Sequence, residues 1–145
     1  MNPALGLRRT ALLSVTLLSL AGCVGAPSDT KSLNGGTQLV QASDSGLVSA
    51  TVSLDGPSTL TRGPNSFLIE LDPTDDGGAD VPVLSAASAT MPAHGHSVTA
   101  TEIDAVGTAY RIANLDLFMS GVWQVDLTVA LGARMDHVEF SLDVP

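Results

Sequence analysis

The pattern that most restricts the fold of this chain is an alternation of apolar and polar residues with a period of two, running from Leu47 onward. In the last stretch Val138, Phe140, Leu142 and Val144 alternate with His137, Glu139, Ser141 and Asp143. Successive side chains of an extended strand point to opposite faces, so this spacing gives each strand one apolar and one polar face. Residues 122–130 repeat it with Trp123, Val125, Leu127 and Val129, and Val48, Ala50, Val52 and Leu54 do the same near the start. Phe67, Ile69 and Leu71 share one face of a further strand. Residues 81–90 read as a strand of small residues, in which Pro82 suits an edge or a first position. Residues 97–103, and a stretch opening at Gly107 with Tyr110 and Ile112, complete the set.

Turn signals separate these runs: Asp55-Gly56-Pro57, Arg62-Gly63-Pro64-Asn65 and the acidic, glycine-rich stretch 72–78. Nothing beyond the leader offers an amphipathic helix. About seven short strands with one wet face each predict an all-β fold, an antiparallel β-sandwich over residues 47–145. An immunoglobulin-like topology is the natural expectation, although the Cys–Trp–Cys core of antibody domains is absent.

The first 22 residues read differently. Arg8-Arg9 forms a positive start, and an apolar run follows from Thr10 to Leu20. At about eleven residues that run is too short to span a bilayer and matches a secretory leader. Leu20-Ala21-Gly22-Cys23 then resembles the bacterial lipobox, in which the peptidase cleaves before the cysteine and the cysteine is acylated. The plainer alternative is an ordinary signal peptide that happens to precede a cysteine. The lipobox resemblance implies a lipid anchor on Cys23, held by two or three acyl chains at about 0.8 kcal/mol per buried methylene. Val24 stands where an aspartate would direct retention in an inner membrane, so the expected location is the outer membrane, facing the periplasm. Residues 23–46 read as the lipidated cysteine and a flexible tether of Ser, Thr, Gly, Gln and Asp, spanning roughly 25–28 Å as a coil. Leu39-Val40 offers a short edge strand within it.

Cys23 is the only cysteine, so no intramolecular disulfide can form and a folded domain must be held by its core. Loss of the leader would leave Lys31, Arg62, Arg111 and Arg134 against all fifteen acidic residues, more negative than the −9 of the whole chain. Such a surface repels phosphate backbones, which argues against nucleic acid as a partner.

One cluster stands out chemically. Met91-Pro92-Ala93-His94-Gly95-His96 holds two of the three histidines. The spacing of His94 and His96 sends both rings to one side of an extended segment, and Pro92 restricts Met91 to extended backbone. If the sandwich brings Met119 to the same end, Met91, His94, His96 and Met119 offer two thioethers and two imidazoles. That set suits copper: thioethers favour Cu(I), and imidazole also accepts Cu(II). The competing reading makes Met91 and Met119 core plugs and lets the histidines cap a turn, leaving a structural or protein-interaction module of the envelope with no metal site.

The residues also carry a family resemblance. Gly-Pro-Asn at 63–65 before Phe-Leu-Ile-Glu-Leu-Asp, Met-Pro-Ala-His-Gly-His at 91–96, and Leu-Asp-Leu-Phe-Met-Ser-Gly-Val-Trp at 115–123 resemble the YtkA-like domain in content and order. That family is itself similar to FixH-type proteins associated with cytochrome oxidase assembly. The resemblance covers about residues 46–145 and implies an immunoglobulin-like sandwich on a bacterial lipoprotein or membrane anchor. It does not define a biochemical role.

Other constellations fail. Counted from Asp72, the twelfth position of a calcium loop is Val83, where a bidentate Glu is needed. No Gly-x-Ser-x-Gly, His-Glu-x-x-His or glycine-rich phosphate loop occurs, and an acylated Cys23 could not act as a nucleophile. The chain is therefore expected not to be an enzyme. Trp123 and Tyr110 are expected in the core, Tyr110 with its hydroxyl bonded at the rim, and His137 is expected to face solvent.

Overall fold

A computed structural model describes residues 30–31, 33 and 36–145 of the chain. The leader expected over 1–22 and the acylated Cys23 lie outside the described residues.

Among the described residues ten strands form: β1 (Thr30–Lys31), β2 (Leu39–Ala42), β3 (Val48–Leu54), β4 (Gly63–Pro73), β5 (Pro82–Met91), β6 (His96–Thr99), β7 (Glu102–Val106), β8 (Ala109–Leu117), β9 (Gly121–Leu131) and β10 (Arg134–Val144). A 3-10 turn, Asp75–Gly77, occupies the acidic loop after β4. One sheet has the order β1-β10-β9-β5-β6 and the other β2-β3-β4-β8-β7. All pairs are antiparallel except β1, which runs parallel to β10. Counted from β3, the strand orders are those of the A-B-E-D and G-F-C-C′ sheets of immunoglobulin-like sandwiches, so the expected fold class holds.

The core is the set of inward positions that the alternation marks. Trp123, Val125, Leu127 and Val129 on β9 are all buried, as are Val138, Phe140, Leu142 and Val144 on β10. Across from them Val48, Ala50 and Val52 of β3 and Phe67, Ile69 and Leu71 of β4 close the other face. Tyr110 is half-buried, and its hydroxyl donates to the Pro82 carbonyl at 3.3 Å.

Two expectations need correction. The tether does not extend to residue 46. Leu33 and Leu39 are 1% and 2% exposed in the core, and β2 pairs with β3 from Leu39↔Val52 to Ala42↔Ser49. Two leucines with a place to be buried outweigh the polar composition around them, because each contributes about 1.5–3 kcal/mol. Second, residues 97–103 are not one strand. β6 pairs with β5 in one sheet and β7 with β8 in the other, and the chain crosses between sheets at Ala100-Thr101. Over residues 47–145 the described strands are β3 to β10, in keeping with the expected seven or so, and β1 and β2 precede them.

Two bulges set which residues face inward near the histidine cluster. On β5, Leu84 pairs with Val129 and Ala86 with Thr128, so Ser85 is extra, and its hydroxyl donates to the Thr128 carbonyl at 3.0 Å. An extra residue inverts the parity of the strand beyond it. Leu84 is thus buried at an even position, and Ala87, Ala89 and Met91 at odd ones. On β8 the register slips between Asn65↔Leu115 and Phe67↔Ile112, and Asn114 takes a positive φ of 54° there. Ile112 and Ala113 are consequently both buried, and Leu115 and Leu117 follow inward to the end of the strand.

Candidate functional site

The stretch 91–96 is a hairpin, not an extended segment. Met91 pairs with His96 as the last pair of β5 and β6, and the four residues between them turn. The N–H groups of His94 and Gly95 both donate to the Met91 carbonyl, at 3.1 and 2.8 Å. Closing that turn requires left-handed backbone at its last position, and Gly95 supplies it with φ at 67°. The sequence carried this signal as a proline followed three residues later by a glycine.

Residues directly opposite in an antiparallel pair share a face of the sheet. The parity change at Ser85 turns Met91 toward the core, so His96 faces the same side, beyond the last core layer. Met91 is 1% exposed, and its Cε lies 3.3 Å from where a Cβ on Gly121 would stand. His94, on the turn, and His96, at its foot, are both exposed. Their ring centroids are 6.2 Å apart with the planes inclined by 23°.

The loop between β8 and β9 meets this hairpin. Phe118 stands edge-to-face with His96 at 5.4 Å and edge-to-face with Trp123 at 5.4 Å. Four rings, His94, His96, Phe118 and Trp123, thus form a continuous series from the turn into the core. Trp123 is fully buried, and its indole N–H donates to the Met119 carbonyl at 2.9 Å. Met119 is half-buried and packs against the core cluster. It follows Phe118, which touches His96, and lies two residues before Gly121, which Met91 abuts. All four residues singled out from the sequence therefore stand at one end of the sandwich. The sequence did not reveal Phe118 as the link between the two loops, because aromatic contact across strands leaves no periodic trace.

The donors fit a soft or borderline ion. Two imidazoles can share an ion when their centroids are within about 6 Å, given metal–nitrogen bonds of about 2.0–2.1 Å, so the observed spacing lies at the upper limit. Among the described residues neither ring takes up a hydrogen bond, so no backbone carbonyl competes for the nitrogens. No three His, Cys, Asp or Glu side chains gather into a metal-holding group among the described residues. The side chain that meets the histidine pair is Phe118, while the thioethers of Met91 and Met119 stand at the same end, Met91 against Gly121 and Met119 directly after Phe118. Met91 could reach a ligand only from the core side, whereas Met119 is partly open.

His137 lies elsewhere, on the outer face of β10, with its Nδ1 3.1 and 3.2 Å from the two carboxylate oxygens of Asp126. The hydrogen bond and the charge of Asp126 raise its pKa above the usual histidine value. The acidic loop 72–78 borders an open cleft of about 590 Å³, lined by Glu70, Asp72, Asp80 and Tyr110 among others. It is at the opposite end from the histidines.

Compared with protein families, curated proteins and solved structures, the chain finds no match in any of the three.

Proposed function

We propose that this chain is a lipid-anchored envelope protein whose sandwich binds or hands on copper, without catalysis, at the end formed by the β5–β6 hairpin and the β8–β9 loop. The observation that carries this reading is the contact of His96 with Phe118, which brings the imidazole pair to within one residue of Met119. His94 and His96 are the exposed nitrogen donors, Met119 the half-buried thioether, and Met91 the thioether on the core side. Softness of the sulfurs favours Cu(I), and the imidazoles extend the site to Cu(II). An exposed pair of histidines on a tight turn can be approached by a second protein's ligands, which is what transfer of an ion by ligand exchange requires. The leader and Cys23 support attachment to the envelope, with the outer membrane facing the periplasm as the proposed place. The resemblance to YtkA-like and FixH-type domains supports a role beside oxidase assembly.

The test is a Cu(I) titration of the whole chain in mild detergent, against a chelating competitor, beside a His94→Ala/His96→Ala variant. The expected result is one ion per chain, bound more tightly than about micromolar and lost in the variant. An unbound wild type that is folded would sink the copper reading. It would leave an interaction module, with Phe118 and Val122, 42% and 44% exposed at the same end, as the contact surface.

A further inference from the structure

The buried tryptophan has a task beyond filling the core. Its indole N–H is satisfied not by a neighbouring strand but by the Met119 carbonyl, four residues before it, in the loop that carries the thioether. A buried indole N–H and a loop carbonyl each carry a desolvation cost if unpaired, so their bond fixes the backbone at Met119. The same indole meets the edge of Phe118, and Phe118 meets His96. One residue of β9 therefore braces both loops that supply donors.

We propose that Trp123 is a positioning residue for the soft-ion site, holding Met119 through its N–H and His96 through Phe118. This rests on the copper reading above. The N–H acts on the thioether, and the ring series acts on the imidazole. Neither Trp123 nor Phe118 belongs to the proposed donor set. Partners that orient metal ligands in this indirect way are worth about 10- to 100-fold in affinity. The arrangement also sorts ions: Cu(I) uses sulfur and nitrogen, whereas Zn(II) prefers the imidazoles. Losing the indole N–H loosens the sulfur first, so Cu(I) suffers more than Zn(II).

The decisive experiment is a double-mutant cycle on the whole chain. Trp123→Phe keeps an aromatic ring against Phe118 and removes the N–H. Met119→Leu keeps volume and removes the thioether. Cu(I) and Zn(II) affinities are measured for wild type, both single variants and the double variant, with thermal midpoints recorded for each. The expected result is a loss of about tenfold or more in Cu(I) affinity for Trp123→Phe, little change for Zn(II), and no further loss when Met119 is already Leu. An equal fall for both ions overturns the proposal, since a merely loosened fold would act on them alike. So does a Cu(I) loss that persists in the Met119→Leu background, or an unchanged Cu(I) affinity in Trp123→Phe. Should Trp123→Phe fail to fold, Phe118→Leu on the exposed link replaces it. Weaker Cu(I) binding at an unchanged thermal midpoint then supports the ring series, and unchanged binding overturns it. A wild type that binds no Cu(I) fails the copper reading itself and is distinguishable from all of these.

Discussion

Asp136 and Ser45 are 91 residues apart in the chain, and a hydrogen bond of 3.2 Å from the Ser45 N–H to the Asp136 carboxylate joins them. The same oxygen accepts the His137 N–H at 2.9 Å, and the residue is 3% exposed. This carboxylate pins the turn between β2 and β3 onto β10. Burial pushes its pKa up, but the Ser43 hydroxyl and the N–H groups of His137 and Ser45 outweigh burial and hold it below the ordinary carboxylate range.

The sign of the pH effect follows. A carboxylate with a depressed folded pKa stabilises fully above the unfolded value of about 3.9, and that stabilisation is lost as pH falls through the folded value. Asp136→Ala should cost about 1.5–3 kcal/mol at neutral pH. Urea unfolding followed down through the carboxylate range should show the gap to wild type narrowing with acid. A gap independent of pH would mean that the charge plays no part.

His137 gives the opposite sign. Its partner Asp126 raises its pKa, with Asp44 and Asp136 adding charge nearby. The contribution to stability is present below the unfolded value of about 6.5 and lost as pH rises through the folded one. Both side chains are well exposed, at 49% and 37%, so solvent screening keeps the pair under about 1 kcal/mol. An NMR titration of the His137 ring should show its midpoint falling in Asp126→Asn, with almost no change in thermal stability.

Leu33 and β2 belong to the folded unit. Leu39→Ala should lower stability by about 2–5 kcal/mol, as for other buried leucines. A chain beginning at residue 47 should unfold at a lower temperature than one beginning at residue 24. Equal midpoints in a calorimeter would return this segment to the tether.

Asn65 organises the loop before β4. Its side chain accepts from the Thr61 N–H at 3.1 Å and donates to the carbonyls of Thr61 and Gly63 at 2.7 and 2.8 Å. It is 6% exposed. Asn65→Ala leaves those backbone groups without their partner and should cost about 1–3 kcal/mol. Limited proteolysis should then cut within 57–62 well before it cuts the wild type.

The strands were legible where one face is steadily apolar, as on β9 and β10, because burial there reads directly as a period of two. They were not legible where parity changes. Ser85 and Asn114 each break the alternation, and the sequence offers no independent mark for a bulge. Leu33 and Leu39 were hidden by polar neighbours, since their burial depends on partners far along the chain. The candidate site was legible as a cluster of donors, Met91, His94 and His96, to which Met119 was joined on the condition that the sandwich bring it to the same end. Its shape was not, because the turn at 92–95 and the register Met91↔His96 arise only once β5 and β6 pair. Phe118 and the indole bond to Met119 depend on packing between loops, which periodicity does not record.

The parallel pairing of Thr30 with Ser141 and of Lys31 with Leu142 has a consequence for the order of assembly. The two partners are 111 residues apart in the chain. Contacts so distant along the chain form late, because the intervening loop must first be closed. A nascent chain lacking β10 leaves the edge of β9 bare, and bare strand edges recruit other strands. Among the described strands the seam between β1 and β10 is thus the last to close, and a chain lacking β10 should be prone to aggregate.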